Sequence, residues 1–463
     1  MYSLMDRLVI QLPILREELV DHIGPMDIIE KIKTLIYSMW LPNENDLEGV
    51  SQALARIQFV YQLDPVEMAK GKIKEVQTNG RLSVRQMMNI AEEKLNGKNP
   101  IRPFIGKEYA LAIEWAEGAL TLEKANDEPQ VSMITTFLRI ARRGHNNNWQ
   151  SPKGQRGNYP NEEFFVRRIQ KELTTGIQLR IEENYFWTNK SGNNQFGNLK
   201  QEFNIHDFNS LCRGEIENNL YTSTSPMCKF ITKNDPYFIL APLKLEIISE
   251  DPLLHVYHDI ITNGEINFMT TKIVDQLHSS EVYGEKTGSQ LSNERTQSIG
   301  WLWDHDDDIL YNLAKKTGKM AQLEIAKSDG DNFQDTFVES EPWQMGVYVP
   351  GGHFLPHFDA FEDNTLPPTA RSTDRLWVGN RIATVMLYLT DVIGGNTAFP
   401  NQGLATSPKK GAAVFWYNLN TDGRRDHLSF HGACPTALGI KWVSNKWIRE
   451  GAQIWKMKCK LDL

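Results

Sequence analysis

The sequence of 463 residues has few cysteines, no excess of basic residues and no long hydrophobic run. No apolar stretch approaches the ~18 residues of a membrane-spanning helix, so a transmembrane protein is not expected. Acidic residues outnumber basic ones by 58 to 50, and the formal net charge of -8 argues against nucleic acid as the main partner. The first residues, MYSLMDRLVIQLPIL, lack a clear basic leader and are not typical of a secretory signal.

The few cysteines leave two interpretations open. Cys212, Cys228, Cys434 and Cys459 show no CxxC spacing, which excludes a zinc knuckle. Two disulfide bonds would suit an oxidising compartment, and four buried thiols would suit the cytosol. Their number alone does not decide between these possibilities.

The patterns along the chain predict a multidomain α+β protein. Apolar residues at spacings of three and four predict helices over residues 1–75 and 83–185. Beyond residue 340, short β-rich runs such as RIATVMLYLTDV and GAAVFWYNL alternate with turn signals. We therefore predict an all-helical N-terminal half and a C-terminal double-stranded β-helix, or jelly roll, with flanking helices.

Two local features support the helical half. Asn45 or Asp46 is placed to cap the helix that includes LEGVSQALARIQFVYQL. Ala112, Ala116 and Ala119 are spaced four and three residues apart, so they share one helix face. We expect helices to pack closely on that face.

A possible metal site begins in the stretch PHFD. On a strand, His357 and Asp359 point to the same face, and together they are two-thirds of the facial triad that holds non-haem Fe(II). The second histidine would be His427 or His431, which the local pattern does not distinguish. His353 also shares a face with His357.

Two other clusters resemble metal sites but have simpler explanations. HVYHD contains His255, His258 and Asp259, which we interpret as ordinary polar residues of the fold. WDHDDD is acidic, and carboxylates favour the first turn of a helix. We therefore predict that this run opens the helix DDDILYNLAKKTG.

A lysine near this site would serve an anionic ligand. Lys441 and Lys446 fall on opposite faces of a predicted strand, IKWVSNKWI. A lysine that points into an apolar barrel needs an anion, and the far carboxylate of a dicarboxylate would provide one. Two solvent-facing lysines are the alternative.

Several of these segments together resemble a known family. PHFDAF, GNRIATVMLYLTDVIGGNTAFP, PKKGAAVFWYNL and HGACP followed by KWVSNKW resemble the catalytic domain of the collagen prolyl 4-hydroxylase α subunit. The matching region runs from Gln344 to Trp447. LCRGE, FILAPLKLE and YHDIIT extend the resemblance upstream, and ALARIQFVYQLDPVEMAKG is similar to the end of the family's dimerisation region.

The resemblance implies an enzyme that hydroxylates C4 of peptidyl proline with Fe(II), O2 and 2-oxoglutarate, aided by L-ascorbate. It implies iron ligation by His357, Asp359 and His431, the last because it precedes ACP. It also implies that Lys441 binds the distal carboxylate of 2-oxoglutarate, so that Lys446 faces away.

Further residue roles follow from the same resemblance. Tyr348 and Thr384 occupy positions that help to hold the cosubstrate. Trp447 lies on the substrate side of the pocket, and Phe354 stands where relatives usually carry a tyrosine. The segment EDNTLPPTARSTDRLW has no close match and is expected to form a mobile loop over the pocket.

The resemblance also implies a compartment, partners and disulfide bonds. Cys212 with Cys228 and Cys434 with Cys459 match the family's two intrachain bridges, which indicates the endoplasmic reticulum lumen. Protein disulfide isomerase is the implied β subunit, alongside self-association of α subunits and a proline-containing protein substrate. A sequon at Asn189 is compatible with a glycoprotein.

Three domains are expected from the resemblance. They are a truncated N-terminal helical dimerisation region at 1–78, a helical-repeat-like domain that binds the peptide substrate at 79–195, and the catalytic domain at 196–463. The middle domain is divergent, because most of the tyrosines that hold polyproline segments are absent. Two alternatives therefore remain: a related dioxygenase acting on a non-collagen protein, and an inactive α-subunit paralogue that acts as an assembly module.

Overall fold

The computed structural model describes residues 5–11, 42–96, 109–123, 128–149, 205–215, 227–279, 281–284, 288–291, 295–325, 339–361 and 379–453. The chain forms two compact units, Met1–His206 and Asp207–Leu463. The unit boundary lies eleven residues beyond the predicted start of the catalytic domain, and the predicted boundary at residue 78 stays a prediction. Asn189, Cys459 and the loop predicted at EDNTLPPTARSTDRLW lie outside the described residues.

The described part of the first unit is mainly helical. After a short π-helical turn, Arg7–Gln11, its helices are α1 Glu44–Tyr61, α2 Pro65–Ala69, α3 Val84–Asn96, α4 Tyr109–Leu122 and α5 Glu128–Trp149. A small antiparallel ribbon, β1 Lys72–Ile73 and β2 Val76–Gln77, connects α2 to α3. The prediction of an all-helical N-terminal half is wrong at this ribbon.

The N-cap of helix α1 lies two to three residues before the predicted position. Asn43, rather than Asn45 or Asp46, is the N-cap, and its side chain accepts a hydrogen bond from the backbone N–H of Asn45. Asp46 completes a capping box by accepting from the backbone N–H of Asn43 at 2.8 Å. The polar run ahead of the helix therefore fixes its start.

The small residues of α4 face its neighbours, as the spacing predicted. Ala112, Ala116 and Ala119 are fully buried. A side chain at Gly118 would come within 2.9 Å of Met87 in α3, so the two helices approach closely at this point. The alanine face is therefore a packing surface.

The second unit contains two facing sheets and several helices. Its helices are α6 Ile205–Arg213, α7 Pro236–Leu240, α8 Asn263–Ile273 and α9 Asp308–Ala321, with 3-10 turns at Val274–Gln276, Asp304–Asp306, His427–Ser429 and Gly451–Gln453. Its strands are β3 Met227–Ile231, β4 Leu243–Glu250, β5 Leu253–His258, β6 His278–Ser279, β7 Glu281–Gly284, β8 Gly288–Leu291, β9 Ser298–Leu302, β10 Trp343–Tyr348, β11 Phe354–His357, β12 Arg381–Tyr388, β13 Ile393–Gly394, β14 Thr397–Phe399, β15 Leu404–Thr406, β16 Ala413–Tyr417, β17 His431–Ala433, β18 Thr436–Leu438 and β19 Lys441–Arg449.

These strands form a large and a small antiparallel sheet. The large sheet has nine strands in the order β3-β4-β5-β16-β12-β19-β10-β9-β6, and the small sheet has four in the order β11-β17-β14-β15. Two-stranded ribbons pair β13 with β18 and β7 with β8. A mixed helix and sheet fold with this strand-rich C-terminal region fits the predicted jelly roll.

Consecutive residues of β12 point to opposite faces of the large sheet and pack in two different core clusters. Val385 packs in the cluster that includes Met269 of α8 and Leu313 of α9. Its neighbour Met386 packs in the cluster that includes Phe399 of the small sheet. Helices therefore cover one face of the large sheet, and the small sheet covers the other. None of the described helices is long and apolar enough to cross a membrane.

Candidate metal centre and cosubstrate pocket

Three predicted metal ligands converge between the sheets. His357 ends β11 and His431 begins β17, and the two are direct partners in the antiparallel pairing. Asp359 lies two residues beyond the end of β11. One donor atom from each of the three side chains lies within 4.8 Å of the others.

The structure corrects how these residues reach the site and separates the alternative histidines. Asp359 lies in the bend after β11, not on the strand as predicted. His427 belongs to a 3-10 turn instead of a strand, and it is not part of the three-residue cluster. His353 is fully buried, and its Nδ1 lies 2.7 Å from the Thr296 hydroxyl. Of the candidates, the structure brings His431 to His357.

The orientation of both imidazoles suits metal binding. His357 Nδ1 lies 2.8 Å from the carbonyl of Leu355, and His431 Nδ1 lies 2.9 Å from the carbonyl of Ser429. A carbonyl oxygen can only accept, so Nδ1 carries the proton and Nε2 keeps its lone pair. The two Nε2 atoms lie 3.8 and 3.7 Å from the Asp359 carboxylate. All free donor atoms therefore point at one position.

The electrostatics of the cluster favour the same protonation states. Burial first and the neighbouring His431 second lower the pKa of His357 to about 3. Burial by itself would raise the pKa of Asp359, but His431 and His357 outweigh it and hold that pKa below its ordinary value. A neutral imidazole beside a carboxylate is the donor set that Fe(II) takes in a facial triad. The residues present therefore fit a divalent iron ion.

A buried network holds the carboxylate of Asp359. The Thr384 hydroxyl donates to Asp359 Oδ2 at 2.7 Å and accepts from the Asn418 amide at 2.8 Å. Arg381 lies 3.4 Å from the Asp359 carbonyl and makes two hydrogen bonds, of 2.6 and 2.8 Å, with Glu341. Thr384, predicted to help hold the cosubstrate, therefore contacts a metal-site residue directly. The sequence reasoning missed the other three, because no local spacing links residues so far apart in the chain.

Lys441 lies in a separate buried pocket of the same core. Its side chain is 1 % exposed, and its ammonium donates to the carbonyl of Gly395 at 2.6 Å. The rings of Tyr348 and Tyr388 lie 5.2 and 5.5 Å from it. Burial lowers the pKa of Lys441 to about 7. No carboxylate of the described residues pairs with it, so the pocket can receive an anion.

Lys446 is also buried, so the alternative of two solvent-facing lysines is wrong. It points away from Lys441, as predicted, but into the helix-covered core, where it pairs with Asp304 at 2.5 Å. Its ammonium lies 5.1 Å from the ring of Trp343. Burial lowers the pKa of Lys446 and raises that of Asp304. WDHDDD therefore supplies a structural ion pair as well as the start of α9, whose N-cap is Asp307.

The other cluster that resembled a metal site, HVYHD, is not part of a metal-like group among the described residues. Its histidines are on β5. His255 lies 3.3 Å from Glu250, and His258 lies 2.8 Å from Glu246. Asp259 pairs with Lys244. The interpretation as ordinary polar residues is confirmed, because each charged group has its own local partner.

Of the two residues predicted on the substrate side, Phe354 contacts a metal-site histidine, and Trp447 contacts Arg381. Phe354 stacks on His357 with ring centroids 3.7 Å apart and an interplanar angle of 20°. The guanidinium of Arg295, a residue that the sequence reasoning missed, lies 4.6 Å from the ring of Phe354. Trp447 lies under Arg381 at 3.7 Å, and its indole N–H is buried without a hydrogen-bond partner among the described residues.

The predicted disulfide pairing is wrong. Cys212 bonds to Cys434, whereas Cys228, its predicted partner, is an exposed free thiol on β3. The pairing differs because α6 lies against the end of β17, which places Cys212 beside Cys434. The bond joins residues 222 positions apart in the sequence.

Family comparisons agree with the site. Residues 343–449 match the 2OG-Fe(II) oxygenase superfamily. The second unit therefore carries a domain of this superfamily, whose cofactors are Fe(II) and 2-oxoglutarate. Residues 1–75 match the N-terminal region of the prolyl 4-hydroxylase α subunit.

Comparisons of the whole chain specify the family further. The chain is 27% identical over 433 residues to prolyl 4-hydroxylase subunit alpha-2 of Caenorhabditis elegans, covering 91% of this chain and 74% of that protein. It is 28% identical over 445 residues to subunit alpha-1 of Rattus norvegicus, covering 92% and 78%. Over most of its length the chain is therefore similar to prolyl 4-hydroxylase α subunits, and the resemblance found in the sequence is confirmed.

A solved structure is also similar in part. A viral collagen prolyl hydroxylase from Paramecium Bursaria Chlorella virus-1, in complex with 2OG, matches with a TM-score of 0.32 and 21% identity. The match covers 42% of this chain and 95% of that one.

Proposed function

We propose that this protein hydroxylates C4 of peptidyl proline, using Fe(II), O2 and 2-oxoglutarate, with ascorbate as the reductant typical of the family. One observation carries the proposal. The free donor atoms of His357, Asp359 and His431 point at one position in a buried core, on a chain related throughout to prolyl 4-hydroxylase α subunits. Lys441, in the same core, supplies a cation without a carboxylate partner among the described residues.

In this mechanism each residue has a distinct task. His357, Asp359 and His431 would hold Fe(II), and Lys441 would bind the far carboxylate of 2-oxoglutarate. Bound Fe(II) supplies the oxidative chemistry, in which 2-oxoglutarate and O2 yield succinate, CO2 and a hydroxyl group on the substrate carbon. Lys441 must be protonated for its task. A bound carboxylate would favour that form, although burial disfavours it.

The surrounding residues would keep the site rigid and dry. Thr384 holds one oxygen of Asp359, so that the other faces the metal position. Tyr348 and Tyr388 enclose Lys441 and exclude water from the carboxylate pocket. The position of Tyr348 beside Lys441 therefore supports its predicted role next to the cosubstrate. Thr384 would instead affect the cosubstrate through Asp359, the metal ligand that it contacts.

Phe354 and Trp447 would meet the substrate. Phe354 offers an apolar face beside His357 where relatives usually carry a tyrosine. A hydrogen bond of about 1 kcal/mol is therefore absent from the substrate side. Trp447 carries a buried indole N–H without a partner among the described residues, which a peptide carbonyl could satisfy.

A related dioxygenase that acts on a non-collagen protein is the second candidate, and the described helices of the middle region, α3, α4 and α5, favour it. Among the described residues of 79–195, only four are aromatic: Tyr109, Trp115, Phe137 and Trp149. Trp115 is fully buried and cannot line a groove. Polyproline grooves are lined with aromatic side chains, so a long neutral polyproline chain is a poor match for these helices.

The compartment and partners are proposed on the same relationship. The Cys212–Cys434 disulfide supports an oxidising compartment, and hence the endoplasmic reticulum lumen. Protein disulfide isomerase as the β subunit and self-association of α subunits come from the resemblance to the family. The proposed substrate is a proline-containing protein.

The proposal is tested by metal and cosubstrate titration combined with turnover. Anaerobic addition of Fe(II) and 2-oxoglutarate should produce the visible metal-to-ligand absorption band, and proline-containing peptides should gain one oxygen atom by mass spectrometry. His357→Ala, Asp359→Ala and His431→Ala should each remove the band and the turnover, whereas His427→Ala should preserve both. A wild-type protein without the band would be the inactive assembly module.

A further inference from the structure

The two histidine-bearing strands are joined by a very short ladder. β11 and β17 pair at only two positions, Phe354 with Ala433 and His357 with His431, and the register shifts between them. Pro356 has no N–H to donate in this interval. β11 is also the edge strand of its sheet, and on its other side the described residues provide one backbone bridge, between Phe354 and Arg295. These two paired positions alone therefore give weak support to the distance between the two imidazoles.

Helix α6 packs on the outer side of this ladder. His431 faces the inner core, so its neighbour Gly432 faces outward. A side chain at Gly432 would come within 2.9 Å of the ring of Phe208, and within 2.8 Å of the backbone N of Pro356. Phe208 itself is 1 % exposed. The phenyl ring of α6 therefore fills the space over the point where the two strands approach most closely.

Two further links hold the same helix to the same strand. Cys212, one helical turn after Phe208, is bonded to Cys434, three residues after His431. The side-chain amide of Asn396 donates to a carbonyl of α6 at 3.4 Å, and its backbone carbonyl accepts from the N–H of Cys434 at 2.8 Å. Packing, a covalent bond and a hydrogen-bonded bridge thus act within one turn of α6.

We propose that α6 is a clamp that positions the metal ligands, with Phe208 and the Cys212–Cys434 bond as its two anchors. The clamp presses β17 against β11 and so fixes the separation of His431 and His357. Its anchors touch neither metal nor substrate, so they are positioning residues. The inference rests on the proposed function, because it concerns the same metal site.

Metal affinity tests the clamp independently of turnover. Co(II) in place of Fe(II) gives visible absorption bands that report both affinity and coordination geometry in the full-length protein. Phe208→Ala should weaken Co(II) binding by roughly 10- to 100-fold, as loss of support behind metal ligands does elsewhere. Phe208→Leu should retain affinity within about threefold of wild type, because it refills most of the space.

A second pair of variants covers the possibility that Phe208→Ala does not fold. Cys212→Ser preserves the packing of Phe208 and removes the covalent anchor, so it should weaken Co(II) binding several-fold and shift the absorption bands. Cys228→Ser removes the exposed thiol and should change neither. Thermal melting confirms that each variant is folded.

The outcomes separate this inference from the function on which it rests. A wild-type protein that binds no Co(II) or Fe(II) removes both. The clamp alone is removed if the wild-type protein binds metal and hydroxylates proline while Cys212→Ser and Phe208→Ala both give wild-type affinity and spectra at reduced melting temperature. Where Phe208→Ala does not fold, wild-type affinity and spectra in Cys212→Ser remove it. In that case, α6 would stabilise the fold without positioning the ligands.

Discussion

Lys441 and Lys446 lie on one strand, both are buried, and they occupy opposite faces of the large sheet. Lys446 meets the carboxylate of Asp304, whereas Lys441 meets a backbone carbonyl and two tyrosine rings. A buried cation without a counter-ion is costly, so a protein that preserves one has a ligand for it. The two lysines should therefore respond very differently to the same substitution.

Lys441→Met should raise the 2-oxoglutarate KM by roughly 10- to 100-fold, because a charge-assisted contact of about 1.5–3 kcal/mol is lost. The fold should remain intact, since no described carboxylate is left unpaired by the change. Steady-state kinetics with varied 2-oxoglutarate measures the effect.

Lys446→Met is the matched control. It leaves Asp304 without its partner, so the free energy of unfolding should fall by about 3 kcal/mol. This value is at the low end for a buried pair, because 23% of the Asp304 side chain is exposed. The KM for 2-oxoglutarate should stay near that of wild type. Equal KM values in the two variants would contradict the assignment of Lys441.

Binding of 2-oxoglutarate should take up a proton at alkaline pH. Burial holds the pKa of the free Lys441 at about 7, so its side chain is mostly neutral at pH 8. A bound carboxylate favours the charged form and raises that pKa. Affinity is therefore full below pH 7 and weakens as the pH rises above it.

Anaerobic calorimetry in buffers of different ionisation enthalpy measures this uptake. With a pKa of about 7, about 0.9 proton should be taken up per 2-oxoglutarate at pH 8 and about 0.5 at pH 7. Lys441→Arg should take up none, because its guanidinium is already charged. Zero uptake by the wild type at pH 8 would mean that the lysine is already charged before the ligand binds.

Thr384→Val should weaken metal binding more than 2-oxoglutarate binding. The Thr384 hydroxyl donates to Asp359, and its removal frees that carboxylate to rotate while leaving the Asn418 amide without its acceptor. We expect metal affinity to fall by roughly 10- to 100-fold, and Thr384→Ser to restore it. A change confined to the 2-oxoglutarate KM would return Thr384 to its originally predicted role.

Local patterns identified part of this site, whereas the choice of His431 and Lys441 came from the family resemblance. Alternation along strands placed Lys441 and Lys446 on opposite faces, and the pairing of a histidine with a nearby carboxylate pointed to His357 and Asp359. Asp359 nevertheless lies beyond its strand, because the ladder ends at His357 and the chain bends there. The relative positions of turns and strand ends depend on tertiary packing, which periodicity does not encode.

Long-range partners lay beyond what the sequence could reveal. Asp304 and Lys446 are 142 residues apart, and nothing in either segment links the one to the other. Arg381 of β12 likewise meets Glu341, which lies two residues before β10, only because β12 and β10 flank the same strand, β19. Sequence spacing predicts which face a side chain takes, but not which distant residue covers that face.

The disulfide pairing is the clearest case, and it gives the last prediction. Peptide mapping without reduction should recover a peptide that links Cys212 to Cys434, and Cys228 should react with a thiol reagent in the native protein. Cys212→Ser should lower the free energy of unfolding by up to about 5 kcal/mol in the chain-entropy model, because the bond closes a loop of 222 residues.

Cys228→Ser serves as the control and should change stability by less than about 0.5 kcal/mol, as exposed substitutions usually do. A recovered peptide linking Cys212 to Cys228 would restore the family's pairing. In that case no disulfide bond would join α6 to the end of β17, and the packing of Phe208 on Gly432 would be the main link between them. Mapping therefore decides whether the covalent anchor behind His431 exists, before any metal is added.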